Sequence, residues 1–260
     1  MLKQPVLLNP AQHGDLRLVP PEQYHFAAAE MTVPIVYSEM ADIAREYPLV
    51  FLKDKQTPHA LLGYEQTVNA YVSATGKWLA QYIPGKIRSY PFALVANPDN
   101  PEQYGVVVDI ESPFVGTSEG SALFSRGKPT SALSGYMKLL EQMQRAEPAT
   151  RQMVKVIRDA ELLVDRAIRV KQQDQEDHQL SGIQVIDEKK LNQMDHESFN
   201  RLRDSGVLPL IYAHLLSMAN LRRGPLSGYV PEFGEDTHID LDGFFGKDDD
   251  IFKFLWRHYV

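Results

Sequence analysis

Three constellations in this sequence carry residue types that do chemistry. His238-Ile239-Asp240, with His258 downstream, offers two imidazoles and a carboxylate, the donor set of a non-haem iron facial triad. The second histidine returns sooner than a jelly roll needs to bring it round, and the alternative is a surface loop. Asp109 and Glu111 stand two apart at the end of an apolar run. A strand would aim both carboxylates to one side, and like charges held close raise the pKa of one for acid–base work. The plainer reading is a solvated strand end.

The third constellation is aromatic and cationic. Trp78, Tyr82, Arg88 and Tyr90 fall close together, and Arg88-Ser89-Tyr90-Pro91 echoes Arg45-Glu46-Tyr47-Pro48 upstream. Rings and guanidinium groups so placed could cup a peptide or a small aromatic ligand by stacking and cation–π contact. Aromatic residues at element junctions also serve simply as packing. His214 shares a helical face with Ile211, Met218 and Leu221. It reads as a hydrogen-bonded core histidine, with ligand contact as the other reading. Nucleophile-elbow, Walker, dinucleotide-binding and zincin motifs are all missing from the sequence.

The elements that must position these residues are legible from proline, glycine and apolar spacing. A residue before proline is pushed out of the α region, so Tyr47-Pro48 ends a helix running from about Ser38, and Leu49-Val50-Phe51-Leu52 follows as a buried strand. Tyr90-Pro91 repeats the device, with a short helix over 83–89 before it and a strand from Phe92 to Val95 after it. Residues 16–19 read as an edge strand, 24–28 as extended, 60–64 with 68–73 as a hairpin, and 104–110 as a strong strand. The Gly-, Pro- and Ser-rich run 111–130 reads as a long loop. Tyr136, Leu139, Leu140 and Met143 make a helical stripe that Pro148 should stop, and Met153, Ile157, Ala160 and Val164 make a second. Residues 167–170 and 180–186 suggest a hairpin, Asp187 and Asp195 two N-caps, and Pro209 the first turn of a helix to about Leu221. The expected fold is α+β in a single domain over 1–260. A largely antiparallel sheet with inserted helices occupies about 1–129, and a helix-rich part over about 130–260 packs on it.

Composition narrows the function. A net charge of −7 argues against a phosphate-backbone partner, so no nucleic acid is expected. There is no cysteine, which excludes disulfides and thiolate chemistry and fits a cytoplasmic protein. Val6-Leu7-Leu8 is shorter than the roughly 7–15 residues of a secretory apolar region. No segment approaches the ~20 apolar residues of a membrane span, so no membrane insertion is expected.

Several separately spaced motifs resemble the SapC family. They are Tyr47-Pro48-Leu49-Val50-Phe51, Ala60-Leu61-Leu62-Gly63, Gly76-x-Trp78 with Tyr82-Ile83-Pro84, and Arg88-x-Tyr90-Pro91-Phe92. Further along come Leu123-Phe124, Gly127-x-Pro129-Thr130, Leu180-Ser181-Gly182, Val185-x-Asp187-x-x-x-Leu191 and Tyr212-Ala213-His214-Leu215-x-Ser217. The resemblance implies a bacterial protein, with a surface-layer association in the family name and a permease label on some members that this sequence does not support. It brings no catalytic residues with it. The expectation is a cytoplasmic, non-catalytic accessory protein that needs no cofactor and binds a protein, peptide or small aromatic ligand, with Trp78, Tyr82, Arg88, Tyr90, Arg45, Tyr47 and His214 as binding candidates. The alternative is an enzyme using Asp109 and Glu111, or His238, Asp240 and His258. The oligomeric state is left open.

Overall fold

The computed structural model describes residues 1–64, 67–171, 178–228 and 230–233. The fold is α+β, with antiparallel sheets and helices concentrated in the C-terminal half. The principal sheet has six strands, in the order Val230–Phe233, Leu163–Lys171, His178–Ile186, Leu49–Leu52, His59–Leu61 and Thr32–Pro34. Three of them come from each side of residue 130. The second half therefore does more than pack on the sheet, as expected from its helical stripes: it completes it, through Ile183 opposite Leu52 and Gln184 opposite Phe51.

A second sheet sets Asn100–Asp109 between Pro5–Leu7 and Phe92–Asn97. The run expected as a long loop instead contributes four short strands. Val115–Gly116 and Ser121–Ala122 flank Arg17–Leu18, and Phe124–Ser125 pairs with Lys128–Pro129. Arg17–Leu18 is accordingly a central strand and not an edge, because those partners close on both its sides. Residues 25–27 form a 3₁₀ turn where extended chain was expected. The expected hairpin of 60–64 with 68–73 is not formed among the described residues: His59–Leu61 pairs with Thr32–Pro34 and Leu49–Leu52, and Val72 meets Trp78 in an isolated bridge.

Both tyrosine–proline corners form. Tyr47 closes the helix Met40–Glu46 with an extended backbone (φ −127°, ψ 143°), its N–H still donating to Ile43. The sequence then enters Leu49–Leu52, where Leu49, Val50 and Phe51 are buried. At the second corner Ser89 caps the helix Gly85–Arg88, the Tyr90–Pro91 bond is cis, and Phe92 opens the strand.

Pro148 does not stop its helix. One helix runs from Ser131 to Asp159. Its N-terminal stretch buries Leu133 and Leu140 in a small core with Leu18, Phe92, Val108 and Leu123. Its C-terminal stretch buries Val154 and Ile157 in the main core with Phe51, Leu61, Ile183 and Ile211. Pro148 itself is exposed. Burial on both sides outweighs the ~3 kcal/mol that an interior proline costs. Asp159 ends the helix, Glu161 turns at positive φ, and Val164 belongs to a strand. Replacing Pro148 by alanine is expected to raise stability by about 1–3 kcal/mol in denaturant unfolding. A loss of stability would mean that the helix needs its proline.

Candidate functional site

The aromatic cluster is a hydrogen-bonded frame. Trp78 is 5% exposed and donates its indole N–H to the Tyr47 hydroxyl at 2.7 Å. Tyr47 in turn donates to the backbone carbonyl of Tyr82. The Tyr82 hydroxyl donates to the buried Glu39 carboxylate at 2.7 Å and receives Arg88 at 3.0 Å, with the guanidinium 5.2 Å from the ring centre. Glu39 also accepts from the Gly85 N–H, and Glu46 accepts from the N–H groups of Gln81 and Tyr82. Two acids from one helical stretch thus hold the 78–88 segment in place. Burial pushes the Tyr47 and Tyr82 phenols up, so both stay neutral. Arg45 is exposed beside Asp42 at 3.5 Å, over a shallow surface depression shared with Glu46, Gln81 and Tyr82.

Tyr90 leaves this group. It is buried, stacks on Phe26 with ring centres 4.1 Å apart, and donates to Asp109 at 3.2 Å. Two separately nominated residues therefore meet, but the result is a structural knot. Asp109 is fully buried and accepts the N–H groups of Lys3 (3.1 Å), Gln4 (2.9 Å) and Glu111 (3.3 Å). Burial pushes its carboxyl up, but the N–H groups of Gln4 and Lys3, the Tyr90 hydroxyl and the Glu111 N–H together bring it below the ordinary carboxylate value. Glu111 is exposed, because the strand ends at Asp109, so the two carboxylates do not share a face. The Asx turn, in which Asp109 accepts the N–H two residues on, is a local signal in the sequence for a carboxylate turned to its own backbone.

His214 is fully buried with both ring nitrogens engaged, Nδ1 to the Leu49 carbonyl (2.6 Å) and Nε2 from the Ile186 N–H (3.1 Å). Ser217 and Asn220 stand beside it and also serve the backbone of the first corner. Their three-residue spacing within an apolar run was a readable signal, whereas nothing in the sequence singled out Glu39. His238, Asp240 and His258 lie outside the described residues.

Two surface features remain open. A cleft of about 830 Å³ lies between the C-terminal end of the long helix and the helices Glu188–Asn192 and His196–Asp204. Its charged groups are largely engaged: Lys190 pairs with Glu161, Arg201 with Glu197, and Asp187 and Asp195 cap helices. The second is a groove of about 210 Å³ between the strand Phe92–Asn97 and the residues following Thr32–Pro34, floored by Leu140 and Met143 of the long helix.

Fold and sites together define an α+β protein whose nominated chemical groups, among the described residues, mostly serve its own frame. The chain belongs to the SapC family, whose model matches residues 8–223. No curated protein and no solved structure matches it.

Trp78→Ala is expected to cost about 3–5 kcal/mol in denaturant unfolding, because it empties a packed site and strips the Tyr47 hydroxyl of its donor. Arg88→Ala should cost less than about 1 kcal/mol. Near-equal effects would contradict the frame. For Asp109 the folded pKa lies below the unfolded one. Its stabilisation is complete above the ordinary carboxylate value of ~3.9 and is lost as pH falls through the folded value. Asp109→Asn should therefore cost about 1–3 kcal/mol at neutral pH, and the gap to wild type should narrow in acid. A gap independent of pH would contradict an ionised, N–H-bound carboxylate.

Proposed function

We propose that this SapC-family chain is a non-catalytic binding or accessory protein that holds a peptide or protein partner, with a cytoplasmic location part of the same reading. The observation that carries it is the occupation of the nominated side chains. Asp109 binds backbone N–H groups, His214 has a partner on each nitrogen, and Tyr47, Trp78 and Tyr82 bond to one another's segment. A general acid or base needs a free, reachable proton site at a cavity, and these groups have none to offer. The groove beside the outer strand Phe92–Asn97 offers backbone and apolar surface, the material of polypeptide recognition. No helix of the described residues is long and apolar enough to cross a membrane.

The test is capture of partners on the immobilised full chain, followed by reconstitution with the purified partner. The expected result is saturable binding with the partner's mass unchanged after prolonged incubation. A changed mass, or turnover of a small molecule with no polypeptide bound, would contradict the reading.

A further inference from the structure

The strand Phe92–Asn97 is the outer strand of its sheet. Its register decides which backbone groups are left over. The Asp109 N–H donates to the Pro91 carbonyl, and Ala93 faces Val107 and Val95 faces Gly105. In an antiparallel pair, alternate residues carry the ladder, so Ala93 and Val95 bond inward. The N–H and C=O groups of Leu94 and Ala96 therefore turn to the open side, and no backbone group among the described residues answers them. Such a row is a template for one more strand.

The surroundings suit a guest strand there. The groove beside this edge has Leu94 on one wall, Ile35 and Val36 on the other, and Leu140 and Met143 below. A strand added next to Phe92–Asn97 would send alternate side chains the way Leu94 points, onto the long helix. The facing outer strand, Thr32–Pro34, carries Pro34 and is blunted as a pairing edge. Charge narrows the guest further. Glu147 at the rim is held by Arg151 at 2.5 Å, while half-buried Lys86 makes no ion pair among the described residues.

We propose that an extended segment of a partner polypeptide adds as a strand along Leu94–Ala96, seats an apolar side chain against Leu94, Leu140 and Met143, and offers a carboxylate to Lys86. The proposal rests on the binding reading above and gives it a site and a ligand chemistry.

A library of random displayed peptides, selected on the intact chain, tests it. Selected peptides should combine an apolar residue with a nearby acidic one. At saturation they should slow hydrogen exchange at the Leu94 and Ala96 amides at least about tenfold. Lys86→Glu and Met143→Arg should each weaken binding at least about tenfold, read beside an unchanged Tm for Lys86→Glu in case Met143→Arg unfolds the chain. Peptides that bind wild type and Lys86→Glu alike, with no protection at Leu94, would overturn this site and leave the binding function standing. Failure to select any peptide would overturn both. Protection that grows with protein concentration alone would mean a second copy on the edge, and would overturn the partner-peptide proposal.

Discussion

The corner at Tyr47-Pro48-Leu49 sits inside the protein, and its backbone would be left short of partners without three distant side chains, two from the helix Leu208–Ser217 and one from the 3₁₀ helix Met218–Arg222 that follows it. Asn220 donates to the carbonyls of Ala44 and Tyr47 at 2.9 and 3.2 Å. Ser217 accepts the Leu49 N–H at 2.9 Å, and His214 reaches the Leu49 carbonyl while accepting the Ile186 N–H. Because Ile186 can only donate, Nε2 must be the acceptor and Nδ1 must carry the proton. Each buried backbone group left unmet costs about 1–3 kcal/mol, so this polar stripe lets a helix end and a strand begin in the core. It also joins the two halves of the chain, since Leu49 and Ile186 lie on neighbouring strands of the principal sheet.

The rest of the architecture follows from that junction. With Leu49–Leu52 fixed, His59–Leu61 and His178–Ile186 can pair on its two sides. The helix Ser131–Asp159 then spans both cores, and the 78–88 segment is held against the first corner by Glu39, Glu46 and Tyr47. The same economy shapes the functional reading. Among the described residues, Asp109, His214 and Glu39 are drawn inward as backbone partners, and the recognition proposed above is assigned to surfaces that the sheets leave open.

Local rules were legible where a single residue sets the backbone. Proline after Tyr47 ended a helix, Asp187 and Asp195 cap the helices they precede, and the runs 167–170 and 180–186 belong to paired strands, which begin earlier than expected at Leu163 and His178. They failed where distant packing decides. Pro148 reads as a stop, but apolar faces on both sides carry the helix through it. The run 111–130 reads as loop, yet its two-residue strands close on Arg17–Leu18 and on one another, pairings that no local pattern reveals. At the sites, His214 was readable from its face of the helix, because a polar residue on an apolar stripe needs partners. Asp109 misled, because its partners are backbone N–H groups from the chain's first residues, more than a hundred positions away. The edge at Leu94 and Ala96, open among the described residues, has no sequence signature, since it depends on which strands do not pair.

The imidazole of His214 gives the most direct test. Burial pushes its pKa down to about 4, against a smaller opposing effect of the Leu49 carbonyl. Nitrogen-15 NMR across a pH titration of the folded protein should show a neutral ring protonated at Nδ1, unchanged as pH falls well below 6. A ring that gains its second proton near its ordinary value of ~6.5, or carries its proton on Nε2, would contradict the junction on which this account stands.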